Sequence, residues 1–283
     1  MGLTVKFYDV EHGSCTHIIT PNGMHFLVDI GTKNSKSICK HLKDNHLNGR
    51  RLDYLVLTHP HLDHINDLPN LFTYDIKPVT LLRPKSAFPL VADWNFTDAQ
   101  KHIVKKANEL HDEYNSAVDW SANPCNSACN GGVEISTFCP DSSDEDSSDL
   151  NSYSMVVVLE YAGFKIVLTG DNPKEILEKM LLKSDFKSAV SNATVLLAPH
   201  HGRDSDFCES FVDAVNPRLV VFSDKPIKHS TQMRSAEKYR NKARGTTWNN
   251  ENRYVFTTRN DGTITFTFNA GGKWSIHKST TEY

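Results

Sequence analysis

VLTHPHLDHIND, residues 56–67, places His59, His61, Asp63 and His64 within six positions, directly behind an apolar run. Histidine makes up 14 of the 283 residues. At that frequency a His-x-His-x-Asp-His arrangement is expected about 0.002 times in such a chain, so composition alone does not explain it. Neutral imidazoles and carboxylates are donors that suit zinc, manganese and iron. A loop leaving a strand end can fold them around an ion.

Outward from this stretch the chain alternates strands with turns and helices. LTVKFYDV, CTHIIT and MHFLVDIG read as three strands, with Gly13 and Pro21-Asn22-Gly23 as breaks and Asp29 and Gly31 closing the third. Residues 35–47 carry apolar or aromatic positions at four-residue spacing and predict a helix. LDYLVLT then reads as the buried strand that delivers the histidines. TDAQKHIVKKANELHDEYNSAV predicts a helix capped by Thr97, followed by a loop, NPCNSACNGG. The acidic run PDSSDEDSSDLNS, residues 140–152, predicts a solvated and mobile loop.

The second half restarts the pattern. SMVVVLEY and FKIVLTGD predict a hairpin around Ala162-Gly163, and PKEILEKMLL a helix entered by Pro173. ATVLLAPHHG is a strand ending in histidines. FCESFVDAV and PRLVVFS are a helix and a strand. RYVFTT, a turn at 259–262, TITFTF and KWSIH close the chain. Asp29, His59 to His64, Asp171, and His200 with His201 all stand at predicted strand ends, where ligands collect in layered α/β folds.

The bulk numbers narrow the function classes. A net charge of −3 gives no global basic field for non-specific nucleic-acid binding. RSAEKYRNKAR, residues 234–244, is the best local basic candidate, and reads first as the solvated face of a surface helix. No apolar stretch predicts a signal peptide or a membrane span. The six cysteines contain no Cys-x-x-Cys pair, which predicts a reduced, cytoplasmic chain.

FLVDIG, THPHLDH, VLTGD and PHHG, in this order, resemble the metallo-β-lactamase superfamily. VKFYDVEHGSCTHIITPNGMHFLVDIG, NSYSMVVVLEYAGFKIVLTGD, APHHGRDSD and TTRNDGTITF are similar to the hydrolase domain of the DNA-uptake competence (ComEC-like) proteins. The resemblance implies a four-layer αβ/βα sandwich formed by one domain over residues 1–283, with an insertion around 84–133. It further implies two divalent metal ions, zinc first and manganese or iron as alternatives. His59 and His61 would bind the first ion. Asp63 and His64 would bind the second, with His201 or the rival His229 as its last ligand. Asp171 would bridge the two, and Asp29 would orient a ligand.

The sequence departs from many superfamily members before the VLTGD strand. Where a histidine is common, it reads DLNSYSM, with Asp149, Asn151 and Ser154. The competence-like branch shares this feature, and Asn151 is the candidate there to support a metal ligand or touch the substrate. The implied activity is metal-dependent hydrolysis by an activated water, with Asp63 and His200 as catalytic candidates and a phosphodiester or nucleic acid as substrate. The alternatives are hydrolysis of a lactone, thioester or other carbonyl substrate on the same fold, and a non-catalytic binding or effector role. No membrane partner is expected.

Overall fold

A computed structural model describes residues 2–33, 36–88, 96–146, 148–225 and 230–281, the last stretch from 230 to 233 in backbone only. The strands are β1 (Leu3–Phe7), β2 (Thr16–Ile19), β3 (His25–Val28), β4 (Tyr54–Val56), β5 (Thr80–Leu82), β6 (Glu134–Phe138), β7 (Val156–Tyr161), β8 (Phe164–Leu168), β9 (Val195–Leu197), β10 (Leu219–Phe222), β11 (Thr246–Trp248), β12 (Glu251–Arg253), β13 (Val255–Thr257), β14 (Thr263–Phe268) and β15 (Trp274–Ser279). They form a seven-stranded sheet, β15-β14-β1-β2-β3-β4-β5, and a six-stranded sheet, β13-β10-β9-β8-β7-β6. β11 and β12 make a separate ribbon.

Strand alternation explains the layering, since successive side chains face opposite sides of a sheet. Val157 and Leu159 of β7 face inward, where they meet Val5, Phe26, Val28, Leu168, Leu197, Val221 and Phe266 in the core between the sheets. Val156 and Val158 of the same strand face outward and pack with Val167, Leu196 and Val220 under a layer of helices. Sheet one repeats the device. Its outward Leu27, Leu55 and Leu57 pack under Ile38, Leu42, Ile65 and Leu68. The result is the four-layer αβ/βα sandwich of the metallo-β-lactamase fold.

The helices are α1 (Ile38–Leu42, running into a π-helical turn at Lys43–Leu47), α2 (Leu62–Ile65), α3 (Pro69–Thr73), α4 (Asp98–Glu113), α5 (Ser127–Asn130), α6 (Lys174–Met180), α7 (Ser184–Val190), α8 (Glu209–Val215), α9 (Ser230–Lys242) and α10 (Thr258–Asp261). α4 begins at a full capping box between Thr97 and Gln100. It stops at Glu113, so the stretch to Val118, predicted as helix, is not helical. The predicted turn at 259–262 is a helical turn, α10. The Leu62–Ile65 segment of the histidine loop is also helical, a short turn that the sequence pattern did not predict.

The segment 84–133 joins the body of the fold through Phe88, Ala107 and Leu110 on the helical layer of sheet one. It also supplies Ala87 and Val104 to a small cluster with Leu150 and Tyr153. All six cysteines are free thiols. The acidic run lies against the second helical layer, where Asp141 pairs with Lys183 and Asp144 with Lys179, each at 2.7 Å. On the basic helix α9, Lys238 pairs with Asp204, Lys242 with Glu209 and Asp213, and Arg240 lies over the Tyr254 ring. Among the described residues no helix is long and apolar enough to cross a membrane.

Candidate metal centre

β3, β4 and β5 run parallel, as do β8, β9, β10 and β13. Parallel strands point their carboxyl ends the same way, so the loops that leave them gather at one edge. Asp29 leaves β3, Thr58 and the histidine loop leave β4, Gly170-Asp171 leaves β8, His200-His201 leaves β9, and Ser223-Asp224 leaves β10. Several of these corners are tight. Asp29, His200 and His201 all adopt left-handed backbone conformations, with φ of 60°, 49° and 53°. For non-glycine residues that conformation is uncommon and persists where surrounding contacts impose it.

At this edge, ligand atoms of Asp63, His64, Asp171 and His201 lie within 4.8 Å of one another. His64 Nε2 is 3.2 Å from Asp171 Oδ1. His201 Nε2 is 3.4 Å from Asp171 Oδ2 and 3.3 Å from Asp63 Oδ2. The other ring nitrogen of each histidine is committed. His201 Nδ1 is 2.8 Å from the Ser223 carbonyl, which can only accept, so Nδ1 carries the proton. His64 Nδ1 is 2.7 Å from Asp29 Oδ2 and donates in the same way. Both Nε2 atoms are buried and make no hydrogen bond. Two unbonded imidazole nitrogens facing two carboxylates form an unbalanced arrangement that a divalent cation resolves. This donor set, with each histidine anchored behind by an acceptor, fits zinc, manganese or iron.

The electrostatics agree. Burial works against the charge on Asp171, but His201 and His64 beside it hold its carboxyl well below the usual range. Asp63 is also depressed, against the cost of burial, by His201 and His64. Burial opposes a proton on His201, yet Asp171 and Asp63 push its pKa up to about 10, and His64 is raised by Asp171 and Asp29. The field that favours positive charge at these nitrogens equally favours a cation held between them.

His59 and His61 form a neighbouring pair, with His59 Nε2 3.1 Å from His61 Nδ1. Burial, reinforced by His64, keeps His59 far below the ordinary histidine pKa, and burial lowers His61 as well. Neutral rings are the ligating form. Asp171 is near enough to act on the charge of both. Asn151 stands outside the four-residue group, in the turn Leu150–Tyr153, with its side-chain oxygen buried and without a hydrogen bond. His200 also stands outside it, with Nδ1 2.7 Å from Asp206 Oδ2 and Nε2 3.7 Å from Asp171 Oδ2. His229 lies outside the described residues.

Thr58 and Ser223 were not singled out in the sequence. Thr58 is the hub: its backbone N–H and hydroxyl donate to Asp29, and the hydroxyl also approaches Nδ1 of His59 and of His64. It stands one position before the motif, so adjacency was the available signal. Ser223 ties both halves together, its carbonyl accepting from His201 and its hydroxyl donating to the Gly13 carbonyl. Gly13 and Gly31 allow the first loop to touch the motif. A Cβ would sit 2.6 Å from the Asp63 carbonyl oxygen at Gly13 and 2.3 Å from it at Gly31. His12, from this same loop, lies tilted at 45° against His201 with ring centroids 4.9 Å apart and approaches Asp63 Oδ2 at 3.5 Å.

Beside the centre opens a cavity of about 380 Å³ between the His200–Arg203 turn and the segment after β10. His12, His201, Arg203, Asp224 and Lys225 line it, over Phe222.

Comparison with known proteins supports this architecture. Residues 8–119 match the model of the metallo-β-lactamase superfamily. Two solved structures share the fold across almost the whole chain. One is the metallo-β-lactamase fold protein YhfI from Bacillus subtilis, at 11% identity and TM-score 0.53, covering 98% of this chain and 100% of that one. The other is Zn(2+)-bound PqqB from Methylobacterium extorquens, at 13% identity and TM-score 0.51, covering 92% of this chain and 99% of that one. No curated protein matches by sequence.

Proposed function

We propose that this chain is a metal-dependent hydrolase of phosphodiesters. The observation that carries the reading is the convergence of Asp63, His64, Asp171 and His201, with both histidine Nε2 atoms bare and aimed at the two carboxylates. Asp63, His64 and His201 offer one set of donors, and His59 with His61 offers a second beside it. Asp171 stands close to both and has two oxygens to share. Two divalent cations held there would neutralise a scissile phosphate and lower the pKa of a water towards about 7.

The chain's own residues supply the rest. Asp29 and Thr58 hold the His64 ring in its tautomer, and Ser223 does the same for His201. Burial of His59 and His64 excludes competing water from their donor atoms. His200, with Nδ1 2.7 Å from Asp206, would deliver a proton to the leaving oxygen. A negatively charged substrate is favoured over a neutral carbonyl one by the cations Arg203 and Lys225 on the adjoining cavity wall, and among such substrates we take a phosphodiester. The segments similar to the competence-like hydrolase domain favour it too.

The test is metal analysis of the purified protein, followed by assay of bis-p-nitrophenyl phosphate, single-stranded and duplex DNA, RNA, cyclic nucleotides and lactones. Two metals per chain and hydrolysis of at least one phosphodiester are expected. A folded wild-type protein free of metal refutes the reading. So does a loaded protein that cleaves lactones and no phosphodiester.

A further inference from the structure

The cavity beside the metal centre holds more positive charge than one phosphodiester requires. A scissile phosphodiester carries a single negative charge, and two cations at the centre would already neutralise it. Arg203 and Lys225 nevertheless project on the wall next to His201. Neither makes an ion pair among the described residues.

The nearby carboxylates are already committed. Asp204 is held by Lys238 at 2.8 Å and Asp206 lies 2.7 Å from His200. Asp224, the carboxylate among the described lining residues, is gripped by Arg259 and its backbone by Thr258. Burial also pushes Asp224 up to about 7, which weakens the negative charge it presents to the cavity. Lys225 lies near enough to His12 to act on its charge, so the two cations and His12 border one space.

At about 380 Å³ the cavity is in the range that holds a small ligand, well beyond the needs of one bound anion. The covering wall is anchored. Gly202 lies flat on the Phe222 ring and its carbonyl accepts from Ser235, which sets the direction in which Arg203 leaves the turn.

We infer that Arg203 and Lys225 form a subsite for a second phosphate of the substrate, one link removed from the phosphate that is attacked. The inference rests on the phosphodiesterase reading for the identity of the substrate but not for the existence of the anion site. Arginine's planar fork suits a phosphate's paired oxygens, and lysine adds a point charge. The subsite selects substrates bearing at least two phosphates over single phosphodiesters and over neutral esters.

The test compares thymidine 3′,5′-bisphosphate with thymidine 5′-monophosphate by isothermal titration against the purified protein. It is paired with the hydrolysis of thymidine 5′-p-nitrophenyl phosphate with and without a 3′-phosphate. The bisphosphate should bind at least about tenfold tighter than the monophosphate, as a charge-assisted contact warrants. The advantage should vanish in the Arg203→Ala/Lys225→Ala double variant, survive in Arg203→Lys, and shrink with added salt. A thermal melt shows that each variant is folded. If the double variant does not fold, Lys225→Glu alone should reduce the ratio. An equal affinity for both probes in the wild type, or an advantage that persists in the folded double variant, overturns the subsite. If neither p-nitrophenyl ester is cleaved but the binding advantage appears and is lost in the variant, the phosphodiesterase reading falls and the subsite stands.

Discussion

Acidification from about pH 7 to about pH 5.5 should destabilise the fold through a histidine cluster that shares no residue with the candidate metal centre. His17 is fully buried on β2, with Nε2 3.0 Å from His25 Nδ1 and Nδ1 3.2 Å from the Tyr8 hydroxyl. His46 packs edge-on against it at 5.0 Å, and His41 packs against His46 at 5.3 Å. Burial, then His46, His25, Lys6 and His41, all press the His17 pKa well below 6.5. No carboxylate of the described residues acts against them. His17 therefore takes a proton only in the unfolded chain. Its contribution to stability is complete above pH 6.5 and drains away as the pH falls towards its depressed folded value. Integrating proton uptake by an unfolded histidine with pKa about 6.5, the step from about pH 7 to about pH 5.5 costs about 1.3 kcal/mol. In a chain of this size that corresponds to about 2–4 °C in Tm. His25 is lowered too, by burial and Arg50, and steepens the loss. The assay is thermal or urea unfolding across this pH range, wild type against His17→Gln, with EDTA in both samples so that metal release does not enter. The variant should lose about 1.3 kcal/mol less than the wild type over the same step, whatever its stability at neutral pH. Equal pH slopes in the two proteins refute the reasoning.

Asp171→Ala should lose metal from both donor sets, read by elemental analysis, because its carboxylate lies beside His64, His200 and His201 and acts on His59. Thr58→Val keeps the shape but removes the hydroxyl that braces Asp29 and His64, so metal affinity in a competition titration should fall about 10–100-fold with the fold retained. Gly31→Ala must move the Asp63 backbone, since the new Cβ would lie 2.3 Å from its carbonyl oxygen; loss of metal together with a lowered Tm is expected, and unchanged metal content would count against the loop's role. His201→Ala should lose metal and activity together, whereas His200→Ala should keep the metal and slow turnover by about 10²–10⁴, with recovery on a substrate whose leaving group needs no proton. If His229→Ala empties the site and His201→Ala does not, His229 is the ligand.

What the chain order alone determined is the set of local patterns. The apolar runs at 54–57, 165–168, 195–197 and 219–222 could be read as buried strands, and the polar residues that follow each could be read as its end. The histidine motif announced metal chemistry because its donors are close in sequence. The apolar run in SMVVVLEY reads as a strand, and β7 is buried on both faces over Val156–Leu159. Short helical turns such as Leu62–Ile65 were not legible, since four residues give no periodicity to detect. The extent of α4 was misread beyond Glu113 because propensity continues where tertiary contacts stop.

Tertiary structure alone decided which residues meet across the two sheets. Ser223, after β10 of one sheet, bonds Gly13, in the loop after β1 of the other, across 210 positions. Neither partner carries a motif of its own. His201 is already the ligand expected from the sequence; the structure adds the two successive left-handed residues that turn the side chains of His200 and His201 in different directions, so that His201 joins the four-residue group. Periodicity constrains only neighbours along the chain. The meeting of strand ends from two packed sheets is set by the core between them, where Phe26, Val28, Leu168, Leu197 and Phe266 fix one sheet against the other.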